Sequence, residues 1–187
     1  MRSIIRPAAM LAALTLSALP ATAQQAGGMA ADLLKDIDQA QKKLLALAGA
    51  MSDSAWNWRP ASGVRSTGEV FQHIAADNYL IPGAMGAAVP AETGIKPDDY
   101  TTAQKYESRK IDRAAAITDL EKSFEFLRQA LTGTAVEAMD EKVTVFGQSF
   151  TRQQMWIMGT THLHEHLGQL IAYARSNGIV PPWSRGG

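Results

Sequence analysis

The sequence predicts an all-α fold: a four-helix bundle with a long crossover between helices 2 and 3 and a minor β-hairpin before helix 4. Three observations predict it. Apolar residues recur at three- and four-residue intervals over long stretches, as they do in helices that bury one face. Two capping patterns, Ser66-Thr-Gly-Glu69 and Thr151-Arg-Gln-Gln154, mark helix starts. Period-two alternation is confined to the short run between Glu141 and Phe150.

The first 23 residues stand apart from this pattern. Met1 to Pro7 is short and basic, Ala8 to Leu19 is apolar, and Pro20-Ala-Thr-Ala23 places small residues before Gln24. This is the layout of a secretory signal peptide cut after Ala23, which makes residues 24–187 the mature domain and predicts an exported protein, periplasmic or extracellular. The apolar run falls short of the roughly 20 residues that span a bilayer, so no stable membrane anchor is expected after cleavage.

Helix 1 is expected from Met29 to Met51, with Leu33, Leu34, Ile37, Ala40, Leu44 and Leu47 on the apolar face and Asp32, Lys35, Asp36 and Lys42 between them. Ser52 to Gly63 has the composition of a loop, and Trp56 and Trp58 are expected to plug one end of the core. Helix 2 starts at the Ser66 cap, carries Val70, Phe71, His73, Ile74 and Leu80, and is expected to end near Pro82. The connection from Gly83 to Tyr106 is too long for a tight helical hairpin, and long connections of this kind cross a bundle or carry function. Helix 3 is expected over about 108–131, stopped by Gly133. A hairpin with a Gly-Gln turn follows, and helix 4 runs from the Thr151 cap to Asn177-Gly178.

Composition narrows the function classes. The chain has 187 residues, no cysteine and balanced formal charge. Loss of residues 1–23 removes Arg2 and Arg6, leaving 16 basic against 18 acidic side chains. Nucleic-acid binding is not expected, because the basic pairs Lys42-Lys43 and Arg109-Lys110 sit in mixed helical patterns and form no stripe. Without cysteine there is no thiolate nucleophile or thiolate metal ligand. No Gly-rich phosphate loop is present, and Ser62, Ser66 and Ser149 lie in turns or caps.

Chemistry concentrates in the histidines, of which there are four. His162 and His166 lie four residues apart in helix 4, so they differ by about 40° around the axis and share a face, whereas His164 is turned away by roughly 200°. Gln169 and Tyr173 continue that face and are placed to orient a ligand or line a cavity. His73 is the remaining histidine, in another helix that also carries Glu69 and Asp77. Three imidazoles would leave coordination positions open to water or substrate, a catalytic rather than a closed structural arrangement. Zinc, nickel, iron or manganese would all accept such ligands. The spacing alone also suits exposed histidines, or pairs with acids such as Glu165. The metalloprotease motif His-Glu-x-x-His is absent, since Leu163 stands where its glutamate would be.

Trp58-Arg-Pro60, Arg65-Ser66-x-x-Glu69-x-x-x-His73 and His162-x-x-x-His166-x-Gly168-Gln169-Leu-Ile-x-Tyr173 resemble the DinB-like (damage-inducible, YfiT-like) superfamily of metal-dependent four-helix bundles. The resemblance covers residues 28–183. It implies His73, His162 and His166 as ligands of a divalent metal ion, zinc or nickel first, and it implies a small-molecule substrate and a homodimer as partners. Some members of that family are thiol-dependent transferases or isomerases of the cytoplasm, a compartment the export signal here argues against. Two functions therefore stand as expectations: an exported metalloenzyme of transferase or hydrolase type, and a non-catalytic metal-binding or stress-related interaction protein.

Overall fold

The computed structural model describes residues 28–185, and the expected signal peptide lies outside them. Along the chain run α1 (Met29–Ala50), α2 (Asp53–Asn57), α3 (Thr67–Ala84), α4 (Tyr100–Glu107), α5 (Arg113–Thr132), β1 (Lys142–Val145), β2 (Gln148–Thr151) and α6 (Arg152–Ser176). The long helices α1, α3, α5 and α6 are the four of the expected bundle. Each of α1 and α3 packs against both α5 and α6. No helix among the described residues is long and apolar enough to cross a membrane.

Both expected capping boxes form. Ser66 Oγ accepts from the Glu69 amide while Glu69 Oε2 accepts from the Ser66 amide, and Thr151 and Gln154 make the same reciprocal pair. These fix the starts of the two helices that carry the histidines. Helix α3 is buried nearly all round, with the polar Gln72, His73, Asp77 and Asn78 covered as well as Val70, Phe71, Ile74, Ala75, Ala76 and Leu80. A helix of that kind needs cover on every side, and α4 and α2 supply what α5 and α6 leave open.

Four local expectations are corrected. The run 52–63 is not all loop, because Ser52 caps a short helix through the Ala55 amide. The α3 helix continues through Pro82 to Ala84, since proline's fixed φ is already helical and only one amide is missing near the end. The crossover contains α4, and α5 begins at Arg113 behind the Asp112 cap instead of at 108. The hairpin turns on Phe146-Gly147, with Val145 paired to Gln148, so the turn falls one residue earlier than the expected Gly-Gln. Both turn residues have positive φ, 50° and 77°, as a two-residue hairpin of this hand requires. For an aromatic residue that backbone costs about 1–2 kcal/mol.

Trp56 does enter the core. Its indole stacks on Phe71, with centroids 5.1 Å apart and planes 5° from parallel, and it lies close over Gly68. A Cβ at Gly68 would sit 2.4 Å from Trp56 Nε1. The indole is held between helix and ring and has no free end to swing aside. Gly68→Ala is therefore expected to destabilise the fold by about 1–3 kcal/mol, the usual cost of overpacking. Urea unfolding should show a lower midpoint at unchanged slope; an unchanged midpoint would mean that Trp56 moves freely.

Candidate metal centre

His73 projects from the buried α3 helix, and His162 and His166 project from one face of α6, where the two helices pack. The ring centroids are 5.1 Å apart for His73 and His162, 4.7 Å for His73 and His166, and 4.3 Å for His162 and His166. One nitrogen from each of the three rings lies within 4.8 Å of the others, so the group could hold a metal ion. Nε2 of His162 and Nε2 of His166 are only 3.0 Å apart. His164 faces the other way and pairs with Asp36 at 2.9 Å, as the helical rotation predicts.

Two of the imidazoles are oriented from behind. The Gln169 amide nitrogen donates to the Tyr173 hydroxyl at 2.9 Å, so its oxygen faces His166 Nδ1 at 2.8 Å. That assigns the proton to Nδ1 and leaves the Nε2 lone pair directed at the group. Trp58 packs edge-on against Tyr173, with centroids 5.1 Å apart, and steadies the relay. On the opposite side His73 Nδ1 faces Glu107 Oε1 at 3.2 Å, while Arg65 grips the other carboxylate oxygen through two nitrogens at 2.8 and 3.0 Å. With its nitrogen turned toward them, the Gln72 amide donates to the carbonyls of Glu107 and Arg109, at 3.2 and 3.0 Å.

The family model of the DinB superfamily matches residues 36–170. The chain belongs to the DinB superfamily. Two solved structures with similar folds are DinB-like proteins from Bacillus subtilis and Bacillus cereus. The first has 18% sequence identity and a TM-score of 0.61, the second 16% and 0.66, and each match covers 80% of this chain and 93% of that one. A third, a histidine-to-alanine mutant of the mycothiol-dependent maleylpyruvate isomerase, has 13% identity and a TM-score of 0.62 over 75% of this chain and 60% of its own. No curated protein matches the chain at a significant level.

The donor set in this DinB chain fits a divalent cation. Burial first, then the proximity of His166, His73 and Arg65, pushes the His162 imidazole down to about 3. Burial also lowers His166, outweighing its Gln169 hydrogen bond. Both rings are thus neutral near pH 7, the form in which histidine ligates. Among the described residues, Asp77 Oδ1 is buried beside the imidazoles without a hydrogen-bond partner, whereas His73 Nδ1 and Glu107 Oε1, also buried, face each other. A buried carboxylate oxygen is seldom left so, and one beside three imidazoles is what an ion and its shell would satisfy.

Two carboxylates flank the group. Asp77 Oδ2 lies 3.1 Å from His162 Nε2 and 3.5 Å from His73 Nε2. Burial, helped by the Glu107 charge and opposed by His73 and Arg65, raises its pKa to about 6. Glu107 goes the other way: burial pulls it up, but His73 and Arg65 outweigh that and hold it below the usual carboxylate range. In sequence Asp77 stands out only as a residue one turn beyond His73, and Glu107 does not stand out at all. Glu69, the other acid of that helix, is spent on the Ser66 cap and on Arg59 at 2.9 Å, and Glu165 is exposed.

Proposed function

We propose that this DinB chain is an exported enzyme of transferase or hydrolase type that depends on a divalent metal, zinc or nickel, held by His73, His162 and His166. The observation that supports it best is the convergence of three imidazoles between two packed helices, beside two buried carboxylates. A divalent cation on three protein ligands supplies a Lewis acid with positions left for water or substrate. Glu107 and Gln169 hold the rings of His73 and His166 in place from outside, which raises ligand basicity and fixes the tautomer. Asp77, beside His162 Nε2, is placed to accept a proton from a molecule bound there. The fold shared with a mycothiol-dependent isomerase supports an enzymatic role, while the signal-like residues 1–23 favour a small-molecule substrate met outside the thiol-rich cytoplasm.

Elemental analysis of untagged mature protein should find about one zinc or nickel per chain, the stoichiometry expected of one three-ligand site. The same preparation should turn over members of a panel of thiol-transfer and hydrolysis substrates, with activity lost to a chelator and regained on adding the metal. Saturable metal binding without turnover across the panel would move the reading to a non-catalytic metal-binding protein. A metal-free, chelator-indifferent protein would end both.

A further inference from the structure

An apolar cavity of about 170 Å³ opens where α3, α6 and the hairpin meet, lined by Ile81, Ala84, Phe146, Met155 and Met158 among others. Among the residues lining it, Gln148 alone is polar, and no charged side chain reaches it. The cavity lies along the same pair of helices as the histidine group. Met158 lies four residues before His162 on α6, and Ile81 lies four residues after Asp77 and eight after His73 on α3, so its wall begins about 6 Å along α6 and about 12 Å along α3 from the nearest histidine. The helices are close at that level, since a Cβ on Gly159 would stand 3.5 Å from Ile81.

The rim is apolar and unusually open. Phe146 is 62% exposed and Met158 42%, in a chain whose other aromatic rings are mostly covered. Phe146 also holds the positive-φ turn position that an aromatic residue adopts at a cost. Strain of that kind persists where a side chain has a task. Its ring meets Tyr100 edge-on at 5.9 Å. Tyr100 in turn lies within electrostatic range of Asp77, Glu107 and Arg65.

Resting on the metal-centre reading above, we infer that the substrate is a molecule with a polar, metal-binding head and an uncharged apolar tail seated in this cavity under Phe146. The size sets the tail. An apolar cavity of about 150 Å³ accommodates a benzene molecule, so this one takes a single ring or a chain of about six carbons. The absence of any charged residue in the lining excludes a phosphorylated or carboxylated tail, because burying an unpaired charge there is too costly.

The probes are acetohydroxamate, hexanohydroxamate and benzohydroxamate, titrated calorimetrically into zinc-loaded mature protein. All three carry the same chelating head. Each buried methylene should tighten binding by roughly fourfold, so hexanohydroxamate is expected to bind on the order of a hundredfold more tightly than acetohydroxamate, with benzohydroxamate also well ahead. Ala84→Phe, which fills the cavity, should collapse that ratio to within about threefold, and Phe146→Ala, on an exposed turn where folding is safe, should cut it severalfold. Equal affinities across the series would overturn the tail inference and leave the metal centre standing. Zinc-loaded protein that binds none of the probes would overturn the inference together with the open coordination it rests on. Failure to retain zinc would instead fall on the histidine site itself, and the inference with it.

Discussion

His73→Ala is expected to leave purified protein with less than about a tenth of the zinc or nickel of the wild type, because two imidazoles alone do not hold a divalent ion through purification as three do. His162→Ala and His166→Ala should do the same, and His164→Ala should retain about one ion per chain. The contrast follows from direction. His164 is paired with Asp36 on the outside, whereas the other three rings have centroids within 5.1 Å of each other. A thermal readout gives the same answer independently. At a free metal concentration about a hundred times the Kd, binding stabilises the folded state by about 2.7 kcal/mol, or roughly 5–10 °C in Tm for a domain of this size. That increment should vanish in the three variants and persist in His164→Ala. Full metal retention in His73→Ala would show that α3 contributes no ligand, and an emptied His164→Ala would show that the ligands lie on the other face of α6.

How much of this was legible in sequence depended on how local the cause was. The faces of α6 follow from a fixed rotation per residue, so the sequence alone places His162, His166, Gln169 and Tyr173 together, and the observed Gln169 to His166 contact of 2.8 Å agrees with that placement. The capping boxes are equally local and both formed. His73 was reachable as the histidine left over and through the family resemblance, but nothing local says that α3 and α6 pack at that level. Boundaries failed where tertiary cover overrode punctuation. Pro82 did not end α3, and the crossover held a helix that covers the side of α3 left open by α5 and α6, polar His73 and Gln72 included. Glu107 was invisible for the same reason. It sits at the end of α4, beyond any apolar period, and only packing brings it to His73 across 34 residues of chain. The one hint was the crossover's length, which marks a segment as functional without marking a residue.

Glu107→Gln should weaken metal binding by about 10- to 100-fold, the usual effect of removing a carboxylate behind a ligating histidine. The carboxylate faces His73 Nδ1 at 3.2 Å and draws that proton toward itself, so that Nε2 is left to donate its lone pair. Glutamine keeps the volume and an oxygen but loses the charge, so His73 becomes a poorer donor and is no longer held to one tautomer. The fold should tolerate the change. Arg65, the partner that loses its counter-charge, is 41% exposed and can turn to water, which limits the cost of leaving it unpaired. Competition against a chromophoric chelator measures the affinity, and unfolding of the metal-free protein measures the fold. The expected pattern is a large loss in the first with little change in the second. Arg65→Met should follow with a smaller loss, since it removes only the clamp that aims Glu107. If Glu107→Gln bound metal as tightly as the wild type while Asp77→Asn lost it, the orienting carboxylate would be Asp77, and the contact between Glu107 and His73 would be packing alone. If both variants lost metal only in step with loss of folding, neither carboxylate would have a role at the centre beyond holding α3 and α4 together.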